Sequence, residues 1–348
     1  MTWFSMERAE LGLGQPMARA AAAAAALGAV ALLAGLTLGR AGVAVASLQA
    51  GWLFFAGLAA GSVAVAAAVR VAHGEWADAL IPIACAGTGF FGPAFAILAI
   101  LSLGQGVLAP LQLVAGLLVF VLGARFVRIA RSPRVDLAPV RSAGVAYLLA
   151  YAIGASLWTF AFVIEPAGHS IPTVVLPASV LGAFLSGLAW IALVAALRDV
   201  SGPDGRHDLG KLLFGLVLLW SYLLWSLFLP TWYGNVPGES IFFLARSTGA
   251  YKPISLGVIA TVSAGPFAIL FLERFKRNRG TLGVAAAMIL MGLWAEQVLL
   301  VLPSVRTHPD RWDLVLAAAV TAGVGGLHLL SVGAGLADVR SPPPPGPA

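Results

Sequence analysis

AVASLQAGWLFFAGLAAGSVAVAAAVR, residues 44–70, reaches its first charged side chain only at its last position, Arg70. As a helix rising 1.5 Å per residue it is about 40 Å long, more than the roughly 30 Å hydrocarbon core of a bilayer. Apolar residues surround it rather than forming one stripe, so in water it would have to be buried on every side. Lipid accepts such a helix directly, because its backbone polar groups are paired internally.

Nine further runs read the same way, near 17–39, 77–103, 106–129, 142–164, 172–197, 209–230, 252–273, 281–302 and 312–337. With 60% hydrophobic and 10% charged residues in 348, against roughly a quarter charged in soluble domains, the expectation is an all-α, polytopic integral membrane protein. It would have about ten transmembrane helices in one membrane domain spanning residues 1–340. The run at the start exceeds a signal peptide's usual apolar core and reads as an uncleaved helix. The tail SPPPPGPA, 341–348, reads as a disordered or extended end.

Orientation follows from the 21 Lys and Arg residues. With the N-terminus inside, 16 fall on the cytoplasmic side, and five (Arg40, Arg246, Lys252, Arg306, Arg311) on the other. That asymmetry predicts that both termini face the cytoplasm, as in an inner-membrane protein with basic inner loops. It accounts for the pI near 10 without nucleic acid.

Ionisable groups within the spans are few, and each is a functional candidate because lipid makes it costly. Glu296, in GLWAEQVLLVLP, is the one carboxylate well inside a run, about 10 Å below its outer end. A glutamate there has no structural use that Gln would not serve, which suits it to exchange a proton. His328 lies in the middle of the tenth run, a proton carrier or a packing hydrogen-bond donor. Tyr222 and Ser226 share a face at i, i+4 beside Trp220 and Trp225. The fifth run offers Tyr147, Tyr151, Ser156 and Thr159, then ends in Glu165-Pro166. Trp232 and Tyr233 read as interface belt residues.

Cys85, the one cysteine, can form no internal disulfide and reads as a small core residue. Only one histidine falls within a span, where a b-type haem needs two; CxxCH, a P-loop, GxSxG and HExxH are missing. The chain is therefore expected to bind no metal or redox cofactor itself.

The most distinctive block is residues 207–240, HDLGKLLFGLVLLWSYLLWSLFLPTWYGNVPGES. It resembles the signature of the membrane subunits of alternative complex III, a bacterial quinol:cytochrome c oxidoreductase, most of all its F subunit, within the polysulfide-reductase NrfD-like superfamily. His207 to Phe214, Trp220, Tyr222, Ser226, Trp232, Tyr233, Asn235, Pro237 and Glu239 match, while Leu227 replaces a usual Gln and Gly238 a usual Glu. Residues 48–75 are similar to another helix of the family. Glu165-Pro166 matches the end of the fifth helix, with Thr159 at the family's Asp and Ala167 at its His. Glu296, Val301 and Pro303 match a D-x-Y-x-x-V-x-P segment, with Val298 replacing Tyr. The likeness covers roughly 48–303.

The resemblance implies NrfD-like helical bundles and a respiratory electron-transport subunit without its own redox centre. Its partners would be a sister NrfD-like membrane subunit, periplasmic multihaem cytochrome c and iron–sulfur subunits, and a terminal oxidase. Haem c and iron–sulfur clusters would reside on those partners, with quinone or quinol as the small molecule. In that family the F subunit is the proposed proton path and the sister subunit the better-supported quinol site.

The expected route has Glu296 as central station with His328 and the Tyr222/Ser226 face nearby. His207, Asp208 and Lys211 would form its cytoplasmic mouth, and Glu165 and Glu239 its periplasmic one. Asp208 is also placed to cap the seventh helix. Two alternatives use the same chain: a quinol pocket of Glu296 with Trp225, Tyr222 and Trp294, or a ten-helix secondary transporter.

Overall fold

The computed structural model describes residues 12–131, 137–168, 174–234, 237–337 and 339, with side chains at 75–77, 137 and 237–239 excepted. The expected tail at 341–348 and the side chain of Glu239 lie outside the described residues.

Among those residues, ten helices are long and apolar enough to cross a membrane, and no strand occurs. They are α1 Gln15–Thr37, α2 Ala41–Val71, α3 Asp78–Ser102, α4 Leu108–Ala130, α5 Ala138–Ala167, α6 Val175–Arg198, α7 Pro203–Gly234, α8 Gly249–Phe271, α9 Arg279–Val305 and α10 Arg311–Leu336. A short helix, Pro237–Ser247, lies between α7 and α8. Ten passes put Gln15 of α1 and Leu336 of α10 at one end of the described molecule, called here the termini end, with the far end opposite.

The expected boundaries agree within a few residues except at α7, which starts at Pro203 rather than near 209. Proline suits a first turn because its missing N–H would be unpaired there anyway. Asp208 is consequently not a cap. It lies one turn inside the helix and pairs with Lys211 at 2.7 Å, while Asp204 occupies the first turn.

The helices form two rings of four and one pair. Helices α2 to α5 close a first bundle through α2–α3, α3–α4, α4–α5 and α5–α2 contacts. Helices α6 to α9 close a second in the same order, and α1 and α10 pack together against α2. The bundles meet where α2 crosses α6. A Cβ on Gly61 would lie 2.0 Å from the Ala183 carbonyl oxygen, and one on Gly187 2.2 Å from the Ser62 nitrogen. Only glycines allow that backbone-to-backbone approach.

Buried tyrosines lock this frame. Tyr147 donates to Ala60 O at 2.7 Å, and Tyr151 donates to Val180 O at 2.8 Å, tying α5 to α2 and α6. Trp52 donates to Ala94 O at 2.7 Å and meets Trp158 edge-on, with ring centroids 5.0 Å apart. Cys85 is fully buried, as a core residue would be. Two helices contain a π-turn just ahead of a proline: Phe160–Ile164 before Pro166 and Ile259–Ala264 before Pro266. The missing N–H and the bulk of the ring explain both wider turns.

Charges sit at the two ends. At the termini end Arg206 pairs with Asp199 and donates to Arg277 O, while Arg277 pairs with Asp204, joining the α6–α7 and α8–α9 connections. At the far end Asp310 caps α10 and forms a capping box with Asp313. Arg40 reaches both aspartates, Arg306 also pairs with Asp313, and Tyr251 donates to Arg306 O. The Asp313 side chain has no exposed surface.

Asp313→Ala should strip Arg306 and the Asp310 N–H of their acceptor, leave Arg40 with Asp310 alone, and cost about 3–5 kcal/mol, read as a lower melting temperature in detergent. The clamp is also acid-sensitive. Hydrogen bonding from Arg40 holds the Asp310 carboxyl down to about 2 from its ordinary 3.8. Its contribution is present above the ordinary value and lost as pH falls through about 2. A melting temperature that is flat over that window would show that Asp310 adds nothing.

Candidate functional site

Helix α9 is fixed at its start by Asn278, whose side chain accepts from the N–H groups of Gly280 and Thr281. Seventeen residues beyond Arg279, Glu296 lies about 26 Å from that end and about 13 Å from Val305 at the far end. Its neighbours come from α6 and α7. Glu296 lines a cavity of about 30 Å³ with Ser179, Trp220, Leu224, Leu227 and Leu300. The Trp220 indole N–H is its hydrogen-bond donor. Gly182 on α6 presents bare backbone beside it; a Cβ there would stand 3.7 Å from Glu296 Oε2.

A second cavity of about 20 Å³ adjoins the first. It is lined by Ser179, common to both, with Trp158, Thr159, Ser186 and Gln297. Thr159 and Ser186 donate to Ala155 O and Ala183 O and keep lone pairs to accept with. The buried Trp158 indole nitrogen has no partner within the protein. Each cavity is large enough for a water molecule. No Lys, Arg or His lines either one, so a carboxylate at Glu296 would have only Trp220 and whatever water enters to stabilise it.

This polar row is open to extension on one side only. Toward the termini end the bundle joint is filled by Val65, Val69, Leu80, Leu188, Ile191, Leu209 and Leu212 around an apolar space of about 10 Å³. Toward the far end the short helix Pro237–Ser247 sends Arg246 inward, donating to Phe242 O at 2.9 Å and to Leu300 O at 2.8 Å. Leu300 stands one turn beyond Glu296, and Pro303 within α9 denies Leu299 O its helical donor. Burial lowers the Arg246 guanidinium to about 10, still above neutrality, so a fixed cation stands near this end of the row.

The structure regroups the residues singled out from the sequence. Tyr222 and Trp225 are 63% and 54% exposed on the outer face of α7, and Ser226, partly exposed, lies beside them. The face turned to Glu296 is Trp220, Leu224 and Leu227. Tyr222 is two residues from Trp220, roughly opposite on the helix. Polarity pointed to the wrong stripe, because the packed stripe of α7 is mostly apolar. Trp294, likewise two residues from Glu296, turns away toward α10, so the four-residue quinol pocket does not assemble.

His328 is buried among Phe55, Phe90 and Trp190, on a different cavity from Glu296. His207, Asp208 and Lys211 are at the termini end, separated from Glu296 by the apolar layer. Glu165 is exposed where the end of α5 meets α9.

Sequence reasoning missed Ser179, Gly182, Ser186 and Gln297. A usable signal existed: Thr159 and Glu296 each stand seven residues before a proline, Pro166 and Pro303, on the fourth helix of their respective bundles. A search of protein-family models and of curated proteins finds no match to the chain.

Because packing does not use the charge, Glu296→Gln should melt within about 1 kcal/mol of the parent protein. Trp220→Ala, which removes a fully buried ring, should cost about 3–5 kcal/mol. A large loss from Glu296→Gln would make the carboxylate a structural element instead.

Proposed function

We propose that this chain is a cofactor-free membrane subunit of a bacterial respiratory quinol oxidoreductase, similar to the F subunit of alternative complex III, and that it carries protons through Glu296. The 207–240 block supports the family reading, and the two-ring arrangement is compatible with it. One observation carries the proton reading: a lone carboxyl on the wall of one water-sized cavity, which shares Ser179 with a second one lined by Thr159, Ser186 and Gln297. A carboxyl is a proton acceptor and donor in one group, and hydroxyls with waters relay between such groups over hydrogen-bond distances.

In this reading the termini face the cytoplasm, as the basic residues argue, and the far end faces the periplasm. The apolar layer between Glu296 and His207 closes the cytoplasmic half, so Glu296 exchanges protons with the periplasmic half. Electrons would travel through haem and iron–sulfur groups of partner subunits, while this chain would take protons released from quinol oxidised at its sister subunit. Arg246, a fixed positive charge close to the outer end of the row, would oppose entry of other cations.

The test is Glu296→Gln in the assembled, membrane-reconstituted complex. Proton release per electron should fall and turnover should drop by about 10²-fold or more. Full quinol turnover with an unchanged proton-to-electron ratio would overturn the reading. Gentle solubilisation should yield a red, multi-subunit assembly carrying c-type haem. A colourless chain purifying alone would favour the transporter.

A further inference from the structure

The end of α4, the start of α5 and the connection between them carry five arginines (Arg125, Arg128, Arg131, Arg134 and Arg141) against one acid, Asp136. One carboxylate cannot match five guanidinium groups, so this segment keeps a net charge of +4. Other arginines at the termini end are neutralised. Arg70 pairs with Asp78, Arg206 and Arg279 with Asp199, and Arg277 with Asp204 and Glu273. Among the described residues, Arg125, Arg128 and Arg141 have no such acidic partner. The Arg141 Nε is buried and has no hydrogen-bond partner within the protein. A positive-inside signal asks only for charge; it gives no reason to bury a charged donor and leave it unpaired, which is costly.

These arginines stand at an open cleft of about 70 Å³, walled by Leu122 and Arg125 of α4 and by Ser142, Ala143 and Ala146 of α5. That is roughly five times the room a water molecule needs. Behind the cleft the two helices are fixed to each other. Phe126 stacks on Tyr147 with ring centroids 6.3 Å apart, and a Cβ on Gly123 would come within 2.8 Å of the Tyr147 ring. In front, the small Ala143 and Ala146 leave the gap. Arg125 lies about 8 Å from the end of α4 and Arg141 about 5 Å from the start of α5, the depth at which lipid headgroups meet their acyl chains. From the cleft toward the far end, Leu118 and Leu111 continue the Leu122 face of α4, and Leu149 and Ile153 continue the Ala146 face of α5. All four are exposed, so a charged head site opens onto an apolar track.

We propose that this cleft holds an anionic phospholipid, with its phosphate on Arg125 and Arg141 and an acyl chain along Leu118 and Leu149. A guanidinium presents paired donors that match phosphate oxygens. The surplus of positive charge selects a lipid of net negative charge over a zwitterionic one, whose own ammonium it repels. Ser142 narrows the headgroup further. Its hydroxyl already donates to Pro139 O at 3.1 Å, so its oxygen is left to accept from a headgroup hydroxyl, as on glycerol. The apolar track commits the site to a lipid rather than to free phosphate. It lies on the first bundle, away from Glu296, and does not depend on the proton reading.

The experiment uses the whole chain in phosphatidylcholine nanodiscs doped with a phosphatidylglycerol that carries a diazirine in one acyl chain. After illumination, mass spectrometry should map the label to peptides covering Leu111–Arg125 and Ser142–Ile153. Excess unlabelled phosphatidylglycerol should compete it away, and glycerol phosphate in the buffer should not. Replacing both arginines, Arg125→Gln with Arg141→Gln, should reduce labelling about tenfold or more. Ala146→Phe, which fills the cleft from an exposed position without touching charge, should do the same. Arg274→Gln, an exposed arginine at the same end but outside the cleft, should leave it unchanged. If the double variant does not fold, Ala146→Phe alone decides. Equal labelling of the cleft by a diazirine phosphatidylcholine would overturn the proposal and make its occupant ordinary bilayer lipid. Competition by glycerol phosphate would overturn it in favour of a soluble phosphate, and labelling indifferent to the variants would leave the arginines with orientation as their only role.

Discussion

Helices α2 and α6 touch backbone to backbone at Gly61 and Gly187, and the interior of the molecule is arranged around that crossing. Between helices in a membrane there is little hydrophobic driving force, since lipid tails are as apolar as leucine, so close packing of small residues has to hold them. The crossing joins two four-helix rings along one seam. It also forces the seam residues into shared space. Ser186 stands next to Gly187, Gly182 lies about one turn along α6, and Ser179 another turn beyond. The same α6 face that packs on α2 toward the termini end thus lines the polar row toward the far end.

The seam divides into zones because its side chains differ. Toward the termini end, Leu188, Ile191, Leu209 and Leu212 fill the joint, and a proton has no side chain to move between. Toward the far end, Ser179, Gln297, Thr159 and Glu296 face spaces of water size. On the opposite side of α9 the α1–α10 pair leaves a cavity lined by Phe55, Trp190, Trp294 and His328. Glu296 and Trp294, two residues apart, serve different compartments because successive residues on a helix turn by about 100°. One helix thereby separates the polar row from an aromatic cavity.

How much of this could be read from the sequence depends on what each feature rests on. Span number and position were legible, because a 20-residue apolar run is a local property. The ring order was not, since nothing in a helix's own composition names its neighbours. Glu296 was legible as the one carboxylate deep in a run. Its surroundings were not: Tyr222 and Ser226 share a face, but that face is turned outward, and the site took Trp220 from the other. In a membrane helix both faces are apolar, so the amphipathic signal that identifies the buried side of a soluble helix is absent.

In the proposed proton reading, the repeated spacing accounts for a single carboxylate sufficing and for a second being unwelcome. Thr159 before Pro166 and Glu296 before Pro303 occupy like positions on the closing helices of the two rings, and their cavities adjoin through Ser179. Two carboxylates at those positions would face one another across a few water-sized spaces with no cation lining them, and their repulsion in a medium of low dielectric would oppose ionisation of both. With threonine at one position, the charge problem disappears while an oxygen remains to hold water or pass a hydrogen bond. In the proposed proton reading the pair would work as one titrating group and one relay. The surroundings would set the direction of that exchange, closed by leucines toward one end and reaching Arg246 toward the other.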